Sequence, residues 1–101
     1  MVLYNVTINV EDSIHNDWLQ WMKEKHIPAV MNTGLFEGHK LFKLLTRQSD
    51  ESGTTYSVQY FLKDMESYRT YNQEFAPGLQ KEYNERYEGR YAAFRSLLEE
   101  V

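Results

Sequence analysis

Cysteine is absent from the 101 residues, which excludes disulfide staples, thiolate nucleophiles and thiolate metal ligands. Proline is scarce, with only Pro28 and Pro77 present, so each marks a place where a helix starts or is interrupted. There is no run of Lys and Arg, and the formal net charge is -4. The electrostatic footprint of a nucleic-acid binder is therefore missing. No stretch approaches the ~20 apolar residues of a membrane-spanning helix. The opening residues, Met1-Val2-Leu3-Tyr4-Asn5-Val6, lack the basic region and apolar block of a secretory leader. No nucleic-acid partner, no membrane and a cytoplasmic address are the expectations. There is also no glycine-rich phosphate loop, dinucleotide fingerprint or serine-histidine-acid pattern.

What the chain does have is aromatic surface: 15% of it, including eight tyrosines and both Trp18 and Trp21. A chain of this length suits one domain, residues 1–101, with a modest core. Tyrosines can fill such a core only if their hydroxyls find partners.

Val2 to Val10 alternates apolar and polar residues, the period of a half-buried strand. Glu11-Asp12-Ser13 suits a helix N-terminus, after which Ile14, Trp18, Trp21, Met22 and Lys25 share one helical face. The residue before a proline avoids helical geometry, so this helix is expected to stop near His26. A second, short helix then starts at Pro28 and ends at Asn32-Thr33-Gly34. Phe36 to Arg47 reads as a strand, Gln48 to Gly53 as a hairpin turn, and Thr54 to Leu62 as the clearest strand. Asp64 caps a helix through Met65, Tyr68, Tyr71 and Phe75, which Ala76-Pro77-Gly78 interrupts before Leu79, Tyr83 and Tyr87 resume it. Tyr91 to Val101 is the last strand. The order β-α-β-β-α-β specifies a ferredoxin-like α+β sandwich, with a four-stranded antiparallel sheet in the order 4-1-3-2 and helices on one face.

Parity along the strands places Tyr4, Val6, Ile8, Phe42, Tyr56, Val58, Tyr60 and Phe94 under the helices. The opposite face is expected to carry Leu3, His39 and Ala93 with Asn5, Thr7, Leu41, Ser57, Gln59, Phe61, Arg95 and Leu97. A mixed face of this kind suits a second copy of the chain, with the polar set fixing register in a homodimer.

His26 is the candidate catalytic side chain, at a helix end where the dipole favours its protonated form. Tyr4, Trp18, Trp21, Tyr56 and Tyr60 are candidates for the wall of a ligand pocket between the first helix and the sheet, with ordinary core as the competing reading. The break at Ala76-Pro77-Gly78 would open one end of that layer. His15 and His26 lie eleven residues apart, ~16 Å along a helix axis, and His39 falls on the other face. No metal site and no cofactor are expected.

Several segments together carry a family resemblance: Tyr4-Asn5-Val6-Thr7, Trp18 with Trp21-Met22, His26-Ile27-Pro28, Thr33-Gly34-Leu35-Phe36, Gly53-Thr54-Thr55-Tyr56-Ser57-Val58-Gln59-Tyr60 and Ala93-Phe94-Arg95. With these the chain resembles, over its full length, the bacterial family called domain of unknown function 4286. The resemblance implies a fold of the dimeric α/β barrel kind, in which two ferredoxin-like sheets pack face to face. That superfamily spans cofactor-independent oxygenases, lactone isomerases, haem-degrading enzymes and plain binding modules, so it implies no one reaction. The first expectation is a homodimer that binds a small organic ligand. The alternatives are a cofactor-independent oxygenase or isomerase acting on an aromatic or lactone-like metabolite, and a structural module without a cavity.

Overall fold

A computed structural model of the chain describes residues 1–46 and 52–101. β1 (Val2–Val10) leads through a 3-10 turn (Asp12–Ile14) into α1 (His15–Trp21), a π-wound segment (Met22–His26) and α2 (Ile27–Met31). β2 (Gly38–Lys43), β3 (Thr54–Leu62), α3 (Met65–Glu74), α4 (Ala76–Tyr87) and β4 (Tyr91–Glu99) follow. The four strands form an antiparallel sheet ordered β2-β3-β1-β4, the topology that the element order demands. The Asp64 carboxylate accepts from the Ser67 N–H at 2.9 Å and so caps α3. The expected hairpin turn lies outside the described residues at positions 48–51.

β1 and β3 pair along their whole length, with Val6 opposite Val58 and Tyr4 opposite Tyr60. Their inward side chains meet Trp18, Met22, Val30, Tyr71 and Tyr83 from the helices in one buried cluster. These two central strands show the faces that their alternation predicts. The edge strands do not. Arg95 pairs with Val6 and Leu97 with Tyr4, so Arg95, Leu97 and Ala93 lie on the helix side. Phe94, opposite Thr7, lies on the open face and is 64% exposed. Leu41 pairs with Val58 and His39 with Tyr60, which puts both on the helix side and Phe42 on the open one. The parity reading of β2 and β4 was thus off by one residue. Those edge segments mix small, charged and apolar residues on both faces, and a one-residue slip reverses every side chain.

The helical run also departs from expectation at Pro28. Ile27 keeps helical dihedrals (φ -60, ψ -45), and its N–H reaches back five residues to the Met22 carbonyl. A proline ring in a regular helix collides with the carbonyl four residues earlier. Widening the preceding turn relieves that collision, so the helix continues through Pro28 instead of stopping. The inserted residue also rotates the inward stripe. Lys25, which regular spacing would bury, is exposed, while His26 is half-buried and Ile27 buried.

Gly53 sits at φ +77, and a Cβ there would lie 2.5 Å from the Val10 carbonyl oxygen. Gly78, within α4, has open space around it. Gly53→Ala is expected to destabilise the fold by roughly 1–3 kcal/mol. Gly78→Ala should stabilise it by about 0.5–1 kcal/mol. Urea unfolding at equilibrium checks both signs.

Candidate functional site

A cavity of about 140 Å³ lies between the sheet and the helices. Its floor is the inner face of β1 and β3, including Tyr4, Val6, Val58 and Tyr60. Its roof is Met22 and His26 from the π-wound segment, Tyr71 from α3, and Leu79 and Tyr83 from α4. Gln80, Asn84, Tyr91 and Arg95 line it at positions that are exposed or half-buried. The mouth therefore opens between α4 and the β4 edge. Ala76, Pro77 and Gly78, expected to interrupt the helical stripe, form the first turn of α4 instead, the break falling at Phe75, and they contribute no lining side chain.

The polar tips converge. Arg95 donates through Nε to the Tyr4 hydroxyl at 3.1 Å. Trp18 donates through Nε1 to the Tyr83 hydroxyl at 2.5 Å, which fixes Tyr83 from behind. The Tyr91 hydroxyl donates to Asn84 at the mouth. His26 stacks on Trp21 with ring centroids 5.1 Å apart and meets Tyr83 edge-on at 5.2 Å. The Tyr60 and Tyr71 hydroxyls and the His26 ring make no hydrogen bond among the described residues, yet no fully buried polar atom is left unpartnered. These groups are therefore open to the cavity, where water or a ligand can reach them.

Burial sets the protonation of the site. The His26 imidazole is desolvated and also feels the Arg95 charge, which together lower its pKa to about 4. Burial raises the Tyr60, Tyr71 and Tyr83 hydroxyls well above the ordinary phenol value. Near neutral pH the site thus holds a neutral imidazole, neutral phenols and one guanidinium. The expected helix-end dipole does not act on His26, because the helix runs on past it to Met31. Among the described residues no three His, Asp or Glu side chains are placed to hold a metal ion.

Of the side chains expected at a pocket, Tyr4, Tyr60 and His26 line this one. Trp18 is fully buried, and its ring packs on Tyr56 at 5.0 Å. Tyr56 is turned toward His15, with Nε2 and hydroxyl 2.5 Å apart. Trp21 supports His26 from outside the cavity. Tyr71, Tyr83 and Arg95 were not expected here. The tyrosines of the second helical stripe were visible as a pattern but carried no sign of facing a void. Alternation along β4 predicts Arg95 on the open face, and its pairing with Val6 puts it on the helix side instead.

A four-stranded antiparallel sheet with helices over one face and a small polar-tipped cavity between them defines a ferredoxin-like α+β domain. The chain belongs to the family described as domain of unknown function (DUF4286), whose match spans residues 1–101. No curated protein sequence matches it. Among solved structures, an ethyl tert-butyl ether degradation (EthD) family protein from Bacillus halodurans superposes with a TM-score of 0.73 at 12% identity, covering 100% of both chains. SnoaB, a cofactor-independent oxygenase from Streptomyces nogalater, gives 0.63 at 12% identity, over 99% of this chain and 92% of its own. MhuD, in a structure with two manganese protoporphyrin IX groups per active site, gives 0.69 at 18% identity, over 100% and 95%. At such identities the likeness is one of fold. The cavity here, at about 140 Å³, is smaller than the roughly 300–1,000 Å³ of drug-sized sites.

Because its folded pKa lies below the ordinary histidine value, His26 stabilises the fold fully above pH ~6.5 and progressively less as pH falls toward 4. The full loss is on the order of 3 kcal/mol. An NMR titration of the His26 ring should give a midpoint of about 4. A midpoint near 6.5 would contradict the buried, neutral imidazole. The loss of stability between pH 7 and pH 5 should be smaller in His26→Gln than in the native chain.

Proposed function

We propose that this protein is a cytoplasmic homodimer, each copy one ferredoxin-like domain of residues 1–101, that binds a small organic molecule in the cavity between His26, Tyr60, Tyr71 and Arg95. The observation that carries this reading is the cavity itself. Side chains of aromatic bulk surround a void, and the Tyr60, Tyr71 and His26 tips that line it have no hydrogen-bond partner among the described residues. A structural module without a cavity has no use for that arrangement, since filling the space would add stability.

Binding without chemistry is favoured over catalysis by the state of His26. A base whose conjugate acid has a pKa of about 4 draws protons from carbon poorly near neutral pH, because efficient general bases are matched to the working pH. The oxygenase or isomerase reading would need that value raised by the bound substrate. The oxygenase SnoaB shares only the fold.

Support for the dimer comes from the open sheet face. Phe94, Phe42 and Leu98 are exposed there. Leu3 and Phe61 lie between them, along with a polar ladder. In that ladder the Ser57 hydroxyl donates to Asn5 at 2.6 Å, Asn5 donates to Thr7 at 3.0 Å and to Ser96 at 3.4 Å, and Gln59 donates to Ser57 at 3.3 Å. A self-satisfied polar strip between apolar residues can be buried at low cost. The cysteine-free composition suits a reducing compartment.

Light scattering at micromolar concentration should report a dimer, and Phe94→Glu should convert it to a monomer. A monomeric native chain would refute the assembly. For the ligand, a library of one-ring fragments observed by amide NMR should shift the signals of Tyr4, His26, Tyr60 and Arg95. Ala93→Leu, which puts three more carbons at the cavity wall, should abolish those shifts while leaving the fold intact. If no fragment moves these signals, the binding reading fails. Turnover of a bound compound would move the assignment to the catalytic alternative.

A further inference from the structure

We infer that the occupant of this cavity is a monocarboxylate carrying one planar ring, seated with the ring among the tyrosines and the carboxylate on Arg95 at the mouth. The inference rests on the binding reading above and adds the chemistry of the ligand.

The first support is a count of charge. Among the described residues Arg95 is the one permanently charged side chain lining the cavity, and no Asp or Glu lines it. The ion pairs among the described residues engage Lys81, Arg86 and Arg90, not Arg95. Its only hydrogen bond among these residues is from Nε to the Tyr4 hydroxyl. That bond orients the guanidinium and leaves both terminal nitrogens without an acceptor among the described residues. Two parallel N–H groups on a planar fork match the two oxygens of a carboxylate.

The second support is the balance of donors and acceptors. The Tyr60 and Tyr71 hydroxyls face the cavity and stay protonated, since burial raises both. Each offers a proton. The Tyr83 hydroxyl already accepts from Trp18, so its own proton is also available. The neutral His26 ring and the hydroxyl oxygens also accept, but the Arg95 fork donates only, and a carboxylate meets it and the free phenol protons with about four lone-pair positions and no proton of its own.

Size and shape supply the third. A volume of about 140 Å³ is close to that of the engineered cavity of about 150 Å³ that takes up benzene. The walls are ring faces and edges: Tyr4 stacks with Tyr60 at 6.0 Å, and Tyr83 meets Tyr91 edge-on at 4.7 Å. One six-membered ring fits between them. A second ring does not.

The experiment compares three isosteres on the full chain at neutral pH: benzoate, neutral benzamide and cationic benzamidine, each followed by amide NMR titration. Benzoate is expected to bind at least ten-fold tighter than benzamide, with benzamidine the weakest. Arg95→Gln should erase the benzoate advantage over benzamide, and unchanged amide signals away from the cavity show that the variant is folded. Arg95→Lys, which keeps the charge and loses the fork, should retain only part of the preference. Benzamide binding as tightly as benzoate, or benzamidine binding tightest, overturns the carboxylate inference while leaving the binding reading in place. A failure of all three to move any cavity signal overturns both.

Discussion

The register between β1 and β3 is the constraint on which the rest of this structure depends. With Val6 set opposite Val58, the inner face of the two central strands becomes an unbroken row of Val, Ile, Leu and Tyr. That row is what the helices bury. Slipping β3 by one residue against β1 would turn Tyr56, Val58 and Tyr60 to the open face and leave the helices over Thr55, Ser57 and Gln59, at the cost of several buried large side chains. The open face owes its polar ladder to the same register, since Asn5 and Ser57 come within bonding distance only when β1 and β3 are aligned this way.

The second consequence of that register is a layer made largely of tyrosine. Tyrosine is bulky enough to hold helices away from a sheet, and its hydroxyl prevents close packing of the far end against apolar neighbours. Where a hydroxyl meets a protein partner, as Tyr83 meets Trp18 and Tyr56 meets His15, the layer closes. Where it does not, at Tyr60 and Tyr71, the layer stays open and a cavity results. The site thus follows from how the core is filled and not from a specialised loop. This differs from the common arrangement in which loops on a rigid scaffold carry function.

The same fold accommodates very different contents. Structures with TM-scores from 0.63 to 0.73 to this chain include an oxygenase and a protein holding two metalloporphyrins. The scaffold fixes where a cavity can form, between the helices and the inner sheet face. The side chains that happen to line it fix what can enter. In this chain the lining brings together a neutral imidazole, buried phenols and the Arg95 guanidinium.

The amino-acid sequence by itself determined the element order, the strand order and the faces of β1 and β3, because alternation of large apolar with polar residues is unambiguous where a strand is buried on one side. It also determined the Asp64 cap and that the helical stripe is interrupted near Pro77, although the break falls at Phe75 and Pro77 opens α4. It did not determine the faces of β2 and β4, since edge strands bury less and their patterns tolerate either parity. Arg95 consequently read as part of the open face. Nor did it determine the course of the chain at Pro28. Local preference argued for a stop there, and the packing of Ile27 and Val30 into the core favoured a widened turn that carries the helix onward. His26 was picked out by its place beside a proline, yet its chemistry was decided by tertiary neighbours. The layer that desolvates it, and the Arg95 charge brought in from the other end of the chain, turn an expected cation into a neutral ring. Long-range neighbours of that kind leave no local trace in a sequence, because nothing in the residues around position 26 records what folds over them.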